Sequence, residues 1–240
     1  MREKAAAIIV AAGMGERLAR SRGGDDRPVG KALVEVFGVP MIAHSLRAFE
    51  AAEGIGKVVI VAREVDILGI YDIVRGMGIT KVANIVPGGE TRQESVLLGL
   101  SEIDKGFDFV AIHDCARPCI RAEKIDEIVG EVMATGEAAT LGIRVTDTIK
   151  RVRDGVIEED IEREGLWQMQ TPQVFAISEL RRAHEAAVGE GLVVTDDTAV
   201  MQHYGGRVRI LEGDMENIKI ATVEDLLMVE RILGEREIEG

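Results

Sequence analysis

The residues near the N-terminus that are best suited to chemistry form a glycine-containing loop. Ala11 and Ala12 lead into Gly13, Arg17 follows, and Lys31 comes after a polar stretch. Glycines let a backbone approach a ligand closely, exposed N–H groups bind phosphate oxygens, and cations offset charge that grows at a phosphorus atom. The loop is neither a Walker loop nor a complete dinucleotide fingerprint. It therefore indicates a phosphate site, while a plain tight turn remains an alternative.

A second glycine segment lies between a strand-like run and a helix-like run. Gly88 and Gly89 are followed by Glu90 and then by Ser95. In an open parallel sheet, such loops meet at the carboxyl ends of the strands, where ligands bind. Ser95 suits either a group that reads a base or an early position of the helix.

Polar groups also end a later strand-like run. Asp114 can bind a divalent cation or a substrate hydroxyl, and Arg117 can hold a phosphate. His113 and Cys115 are the types found in a nucleophile pair, but close neighbours on a strand usually point apart. We therefore expect Asp114 and Arg117 to be the functional groups here.

The second half of the chain adds separate polar groups. Thr171 stands before a proline, and Lys219 stands in a short apolar run before the last helix. The sequence Thr195-Asp196-Asp197 suits a metal site or, equally well, a helix N-terminus capped by Thr195.

Apolar patterning predicts the elements that position these groups. Apolar residues at helical spacing around Leu46, Leu100 and Ile128 predict helices between strands. Further helices are predicted at Ser178–Val188, with Ser178 as N-cap, and from about Thr222. The predicted strands are Ala6–Ala11, Lys57–Ala62, Val82–Val86, Phe109–His113, Val208–Leu211 and Ile218–Ala221. This alternation predicts an α/β fold whose mainly parallel sheet carries helices on both faces.

A charged hairpin interrupts this alternation. Thr148–Val152 and Val156–Ile161 flank Asp154 and Gly155, which is a strong hairpin signal. The hairpin carries too many charges for a buried sheet, and two isolated strands are only marginally stable. We therefore expect an arm over residues 146–164 that packs on a second subunit. The alternative is an arm that folds on its own domain.

Length and composition set limits on function. The 240 residues suit a single domain over 1–240, and a net charge of −13 argues against nucleic acid as a partner. No apolar run is long enough to span a membrane. Two cysteines, Cys115 and Cys119, suit a reduced, cytoplasmic protein. The stretch Ala19–Gly30 holds little to bury, so we expect a mobile loop there.

Taken in order, these segments resemble the 2-C-methyl-D-erythritol 4-phosphate cytidylyltransferases of the non-mevalonate isoprenoid pathway over nearly the whole chain. The matching motifs are Ala-Ala-Gly-x-Gly-x-Arg, Gly-Gly-x-x-Arg-x-x-Ser-Val, His-Asp-x-Ala-Arg-Pro, Asp-Thr-Ile-Lys, Arg-x-Gly-Leu-Trp with Thr-Pro-Gln, Thr-Asp-Asp and Asn-Ile-Lys. The resemblance implies a Rossmann-like nucleotidyltransferase that joins CTP to methylerythritol phosphate and releases pyrophosphate with the help of Mg²⁺. It also implies a homodimer joined through the arm.

The resemblance assigns roles position by position. The implied catalytic residues are Arg17, Lys31, Arg163 and Lys219, and Arg163 is similar to an arm residue that reaches the partner's site. The implied cytidine-binding residues are Ala11, Ala12, Gly13, Gly89, Glu90 and Ser95. The implied substrate-binding residues are Asp114, Arg117, Thr148 and Thr171, of which Asp114 is also a candidate Mg²⁺ ligand.

The sequence departs from the family pattern at three places. Val29 and Gly30 precede Lys31 where a proline is usual, and the preceding loop is longer. Thr146 stands where an arginine is common, and Cys115 replaces an alanine. A cytidylyltransferase for another polyol phosphate, such as ribitol 5-phosphate, and a non-catalytic nucleotide-binding protein are the alternative functions. An incomplete glycine fingerprint disfavours an NAD-dependent oxidoreductase.

Overall fold

The computed structural model of the chain describes residues 4–21 and 30–239. The loop expected over Ala19–Gly30 therefore falls largely outside the described residues, as does Val29. The strands are β1 (Ala5–Ala11), β2 (Glu35–Val36), β3 (Val39–Pro40), β4 (Ile55–Ala62), β5 (Val82–Pro87), β6 (Phe109–Asp114), β7 (Ala138–Arg144), β8 (Ile149–Arg153), β9 (Val156–Ile161), β10 (Trp167–Ala176) and β11 (Val208–Glu212).

Helices separate most of these strands. They are α1 (Glu16–Ser21), α2 (Met41–Ala51), α3 (Ile67–Gly76), α4 (Arg92–Ser101), α5 (Ala122–Thr135), α6 (Ile177–Gly189), α7 (Asp197–His203) and α8 (Val223–Glu239), with 3₁₀ turns at Lys31–Leu33 and Glu64–Asp66. Within the described residues, no helix combines the length and apolar content needed to cross a membrane.

A seven-stranded sheet forms the centre of the fold, in the order β11-β7-β10-β6-β1-β4-β5. The pairs β1–β4, β1–β6, β4–β5 and β7–β11 are parallel, and only β10 runs antiparallel to its neighbours β6 and β7. The predicted mainly parallel sheet is confirmed. Val10 of β1 pairs with Asp114 of β6, so the glycine loop after β1 begins beside Asp114.

Helices cover both faces of this sheet, as predicted. Ile9 points to the face covered by α2, α3, α5 and α8, whereas Ile8 points to the face covered by α4, α6 and α7. This alternation follows from the two-residue period of a strand. The predicted helical stripes are buried, among them Leu46 and Ile128 on the first face and Leu100 on the second.

The predicted hairpin is confirmed as a separate two-stranded sheet of β8 and β9. Asp154 and Gly155 have φ of 49° and 79°, the left-handed region that a tight Asp-Gly hairpin turn requires. The first strand covers Ile149–Arg153, so Thr148 precedes it. Pairs such as Arg151 with Glu159 join the strands across the hairpin.

Several sequence expectations were wrong. Helix α6 begins at Ile177 without a side-chain cap, so Ser178 lies inside it. Helix α7 is capped by Asp196 rather than by Thr195. The run Ile218–Ala221 forms no strand. Strands β7 and β10 and helix α3 were not predicted.

Candidate active site

A cavity of about 370 Å³ opens where β1 and β6 end, beside the loop that follows β5. This is the carboxyl edge of the parallel strands, where the sequence placed the site. The structure brings together nine predicted residues here from five separate segments, namely Ala11, Ala12, Gly13, Lys31, Gly89, Glu90, Ser95, Asp114 and Lys219. Five predicted residues are not among those that line the cavity, namely Arg17, Arg117, Thr148, Arg163 and Thr171.

The first glycine loop packs closely against its neighbours. Gly15 has a φ of 67°, which disfavours other residues, and a side chain there would meet Lys31. The Lys31 N–H donates to the Gly13 carbonyl across 3.4 Å. A Cβ on Gly88 would lie 2.5 Å from the Cβ of Ala12, so the two glycine loops touch only because Gly88 has no side chain. Residues of both loops line the cavity.

The second glycine loop is fixed by the start of α4. Thr91 caps the helix by accepting the Glu94 N–H at 3.1 Å. The Ser95 hydroxyl donates to the Thr91 carbonyl at 2.9 Å and accepts the Gly89 N–H at 3.1 Å. Ser95 therefore shapes the loop from an early position of the helix, one of the two roles expected for it, and its contact with a base stays a prediction.

Lys31 projects its ammonium group into a partly buried position, where it donates to the Ile220 carbonyl. Burial, together with the nearby positive charges of Lys219 and Arg17, lowers the pKa of Lys31 to about 8. Arg17 itself is exposed on α1, outside the cavity lining but close enough to act on Lys31. The three cations form a positive region next to the glycine loops.

Asp114 is buried at the base of the cavity between two cations. Its Oδ1 accepts from Arg92 Nε at 3.1 Å and its Oδ2 from Lys219 Nζ at 2.5 Å. Burial alone would raise the pKa of Asp114, but the charges of Arg92 and Lys219 hold it far below the usual range. Asp114 is therefore a carboxylate at neutral pH, with both oxygens engaged.

Thr171 and His113 support the end of strand β6, which carries Asp114. The Thr171 hydroxyl accepts the Asp114 N–H at 3.0 Å and donates to His113 Nδ1 at 3.0 Å. His113 Nε2 then donates to the Arg117 carbonyl at 3.2 Å. Burial lowers the pKa of His113 to about 4, so the ring is neutral. Thr171 therefore supports the strand end in this structure, and its predicted contact with substrate stays a prediction.

Arg117 is also a supporting residue in this chain. Its guanidinium donates to the carbonyls of Asn217 at 2.8 Å and Met169 at 2.9 Å, which ties the Lys219 loop to β10. Arg117 is not among the residues that line the cavity, and its expected phosphate contact stays a prediction. Burial raises the pKa of the Cys115 thiol to about 12, so Cys115 is protonated and is no nucleophile.

Thr148 and Arg163 lie at the base of the arm and are exposed. The Arg163 guanidinium donates to the Thr146 carbonyl. Neither residue reaches the cavity of its own chain.

A family model described as IspD, 2-C-methyl-D-erythritol 4-phosphate cytidylyltransferase, matches residues 5–235. The chain belongs to this family. The expected resemblance and the nucleotidyltransferase class are thereby confirmed.

Relatives with the family's name match along nearly their whole length. The cytidylyltransferase of Bacillus licheniformis is 38% identical over 226 residues, covering 94% of each chain. That of Dictyoglomus thermophilum is 37% identical, covering 98% of this chain and 99% of its own. The crystal structure of the Thermus thermophilus family member superposes with a TM-score of 0.75 at 26% identity, covering 94% of this chain and 97% of that one. The fold of the Anaerococcus prevotii 4-diphosphocytidyl-2C-methyl-D-erythritol synthase gives a TM-score of 0.83 at 24% identity, covering 97% and 96%.

Sequence reasoning missed Arg92, which lines the cavity of this family member and holds Asp114. Arg92 also donates to Asp197 Oδ2 at 2.7 Å, and Asp197 in turn contacts His184. The signal that could have found Arg92 is its place at the first turn of α4, directly after the second glycine loop. Asp197 was considered only as a metal ligand or a helix-start residue.

The described residues hold no group of three or more His, Cys, Asp or Glu side chains that could form a metal site alone. Asp114 is the one predicted ligand, and its oxygens already bind Arg92 and Lys219. Mg²⁺ usually keeps several waters and is held by one or two carboxylates together with substrate phosphates. The residues therefore suit an ion that arrives with a nucleotide.

Proposed function

We propose that the chain transfers the cytidylyl group of CTP to the phosphate of 2-C-methyl-D-erythritol 4-phosphate. The observation that carries this proposal is the meeting of two open glycine loops with Lys31, Lys219 and Asp114 in one cavity. The loops suit a nucleotide with its phosphates, and the polar groups beside them suit a phosphorylated polyol. Family membership identifies the pair of substrates.

In the proposed reaction, a phosphate oxygen of methylerythritol phosphate attacks the α-phosphorus of CTP. A new oxygen–phosphorus bond forms, the bond from the α-phosphorus to the bridging oxygen breaks, and pyrophosphate leaves with the bonding electrons. A phosphate monoester with a second pKa near 6 is already ionised at neutral pH, so no general base is needed. Catalysis then depends on positioning and on charge stabilisation.

The nucleotide side of the site is formed by backbone and cations. Ala11, Ala12 and Gly13 with Gly89 and Glu90 are proposed to surround the cytidine, and Ser95 holds the second loop in shape. We assign Lys31 and Arg17 to the charge that grows around the α-phosphorus. Lys31 lies in the cavity, and the exposed Arg17 approaches the same region from α1.

The acceptor side is formed around Asp114. Its carboxylate is proposed to orient a polyol hydroxyl, and Lys219 to hold the attacking phosphate. Lys219 remains about two-fifths exposed despite its ion pair, so its ammonium group keeps access to a ligand. Thr171 and Arg117 fix the backbone beneath this pair.

Mg²⁺ is proposed to enter with CTP, supported by Asp114 as the buried carboxylate at the cavity. The bound ion would neutralise phosphate charge. The ion fits as a partner of the nucleotide's oxygens, because the described residues provide no complete metal site.

A homodimer through the arm is proposed from the arm's own surface. Val152, Val156 and Ile157 are 56%, 67% and 62% exposed, and Thr148 and Arg163 stay away from the cavity of their own chain. A two-fold contact would bury both arms and bring Thr148 and Arg163 to the partner's site. Sedimentation tests this. Ile157→Asp should give monomers, whereas Val65→Asp, at an equally exposed residue on another surface, should not; dimers from both variants would contradict the arm contact.

The two thiols are free and buried, which supports the proposed cytoplasmic location of the enzyme.

Purified protein, CTP and methylerythritol phosphate with Mg²⁺ test the proposed reaction directly. Pyrophosphate release and a cytidine diphosphate product are expected. Ribitol 5-phosphate replaces the acceptor in a parallel reaction and should give far slower release. Binding of CTP without turnover of any polyol phosphate would instead support a nucleotide-binding protein.

A further inference from the structure

A row of charged and polar side chains extends from the cavity to helices α6 and α7. Lys219 binds Asp114, Arg92 bridges Asp114 and Asp197, and His184 of α6 contacts Asp197 Oδ1 at 2.9 Å. Only the cavity end of this row is part of the proposed catalytic site. Its far end lies at the contact between α6 and α7.

The far end of the row is sealed from solvent. The side chains of His184 and Asp197 are 0% and 1% exposed. His184 Nδ1 is buried and has no hydrogen-bond partner within the described residues. The His184 ring is therefore held by the contact of its Nε2 with Asp197. A buried charged group is weak support for stability, because apolar side chains of similar size often serve as well. The arrangement therefore calls for a role beyond packing.

Arg92 connects Asp197 to the cavity. Its Nη1 donates to Asp197 Oδ2 at 2.7 Å and its Nε donates to Asp114 Oδ1 at 3.1 Å. The guanidinium is planar and rigid, so a carboxylate that fixes one edge also fixes the direction of the other donors. With Oδ1 held by Arg92, Asp114 presents Oδ2 to Lys219.

We propose that Asp197, supported by His184, is a positioning residue that orients Asp114 and Lys219 for the acceptor phosphate through Arg92. The inference rests on the proposed function, because it deepens the acceptor side of that site. Asp197 touches no substrate. Burial would raise the pKa of Asp197, but the charge of Arg92 and the hydrogen bond from His184 lower it, so it is a carboxylate at neutral pH.

The proposal predicts which kinetic constants change. Without the Asp197 charge, the guanidinium of Arg92 is no longer held on one side. The Asp114–Lys219 pair then loses its fixed orientation. A displacement of about 1 Å can cost up to about 100-fold in rate. The KM for methylerythritol phosphate should therefore rise about tenfold with a fall in kcat, whereas the KM for CTP, set by the glycine loops, should stay within about threefold.

Asp197→Asn keeps the shape of the side chain and removes its charge. The matched control is Asp196→Asn, the same change at the preceding residue, which caps α7 through the Ala199 N–H. Asparagine caps helices as well as aspartate does, so α7 should persist in both variants. Equal acceptor KM values for the two variants would overturn the proposal.

A double-mutant cycle with Arg92→Lys separates positioning from general damage. If Asp197 acts through Arg92, Asp197→Asn should add less than about twofold once Arg92 is lysine. A damaged fold would instead give effects that multiply, and would lower the melting temperature and both KM values together. Independent, multiplying effects overturn the proposal.

Two further measurements keep the test decisive. If Asp197→Asn does not fold, two variants of His184 replace it in the same cycle. His184→Gln can still donate to Asp197, whereas His184→Leu cannot. Only the leucine variant is expected to weaken the binding of methylerythritol phosphate. Calorimetric titration of methylerythritol phosphate reads acceptor binding without turnover. An inactive wild-type protein would refute the proposed function, whereas an active one with unchanged acceptor binding in the variants would refute only the role of Asp197.

Discussion

At the cavity, polar groups are held by hydrogen bonds from several segments, whereas along the arm apolar side chains are largely exposed to solvent in the single chain. The Asp114 carboxylate accepts hydrogen bonds from Arg92 and Lys219, and the Asp114 N–H donates to the Thr171 hydroxyl. Val156 of the arm is 67% exposed. The cavity is ordered by its own chain, whereas the arm leaves apolar side chains exposed, which supports the proposed contact with a second chain.

This difference corresponds to two sources of order. Around the cavity, buried strands and helix starts fix each group before any ligand binds, which is what electrostatic catalysis requires. The arm is held mainly by its ladder and by exposed ion pairs such as Arg151–Glu159, which typically contribute up to about 1 kcal/mol each. Its Arg163 is exposed and donates to the Thr146 carbonyl of its own chain, and in the proposed dimer it would contact the partner's cavity.

The largest difference is expected when the same substitution, isoleucine to alanine, is made in the core and in the arm. Ile60 of β4 is fully buried, so Ile60→Ala should reduce the free energy of unfolding by about 2–5 kcal/mol. Ile157 is exposed, so Ile157→Ala should change the stability of the separated subunit by about 0.5 kcal/mol or less. Chemical denaturation over a range of protein concentrations measures both. An effect of Ile157→Ala that does not depend on concentration would mean that the arm packs on its own domain.

A similarly large effect is expected at the cations of the cavity. Lys31→Ala and Arg17→Ala should each lower kcat by about 10²–10³ while leaving the KM for methylerythritol phosphate nearly unchanged, because both serve charge that grows in the transition state. Steady-state kinetics with Lys57→Ala as a control tests this, since Lys57 pairs with Asp104 away from the cavity. A near-normal kcat for Lys31→Ala would remove it from the catalytic role.

The preference for CTP over UTP should depend on the residues of the cavity and not on the arm. Uracil in place of cytosine would leave polar groups of the pocket unpaired, at about 1–3 kcal/mol each, so kcat/KM for UTP should be at least about tenfold below that for CTP. Arg163→Ala should lower both values and leave their ratio unchanged. A changed ratio would show that the arm takes part in nucleotide selection.

The smallest expected effect is a pH dependence. With a pKa of about 8, Lys31 is charged below that pH and loses its charge above it. The value of kcat/KM for CTP, which reports the free enzyme, should therefore be level below about pH 8 and fall above it. Lys31→Arg, whose guanidinium stays charged, should remove this fall whatever its absolute rate. A profile that rises through pH 9 would contradict the assignment.

Local patterning was enough to predict most of the framework. The apolar runs at β1, β4, β5 and β6 and the helical stripes of α2, α4 and α5 are local signals, and the structure confirms them. Strand β10 was missed because it carries several polar residues and Pro172, which the register shift between Met169 and Gln173 accommodates. Its burial comes from β6 and β7, neighbours that no local pattern shows.

The site likewise contains residues that local patterns predict and contacts that only the fold creates. Residues that line the cavity directly after a strand, such as Gly13 and Asp114, could be placed from their position at the sheet edge. The bracing of Asp114 by Arg92 and of Arg92 by Asp197 joins segments that are distant in sequence. These groups come together only in the fold, where α4 packs on β1, β4 and β5 and against α6.

The central claim is that each cavity is complete only when the partner's arm contributes Arg163. One protein carries Lys31→Ala, another carries Arg163→Ala, and the two are mixed under conditions that allow subunits to exchange. In a mixed dimer with crossed arms, one site receives both wild-type residues and the other lacks both.

The activity of the exchanged mixture is the most direct measurement. Random pairing makes about a quarter of all sites intact, so activity should rise to roughly a quarter of the wild-type value, far above either variant alone. Mixtures that exchange freely yet stay as inactive as the separate variants would show that Arg163 does not act on the partner's site.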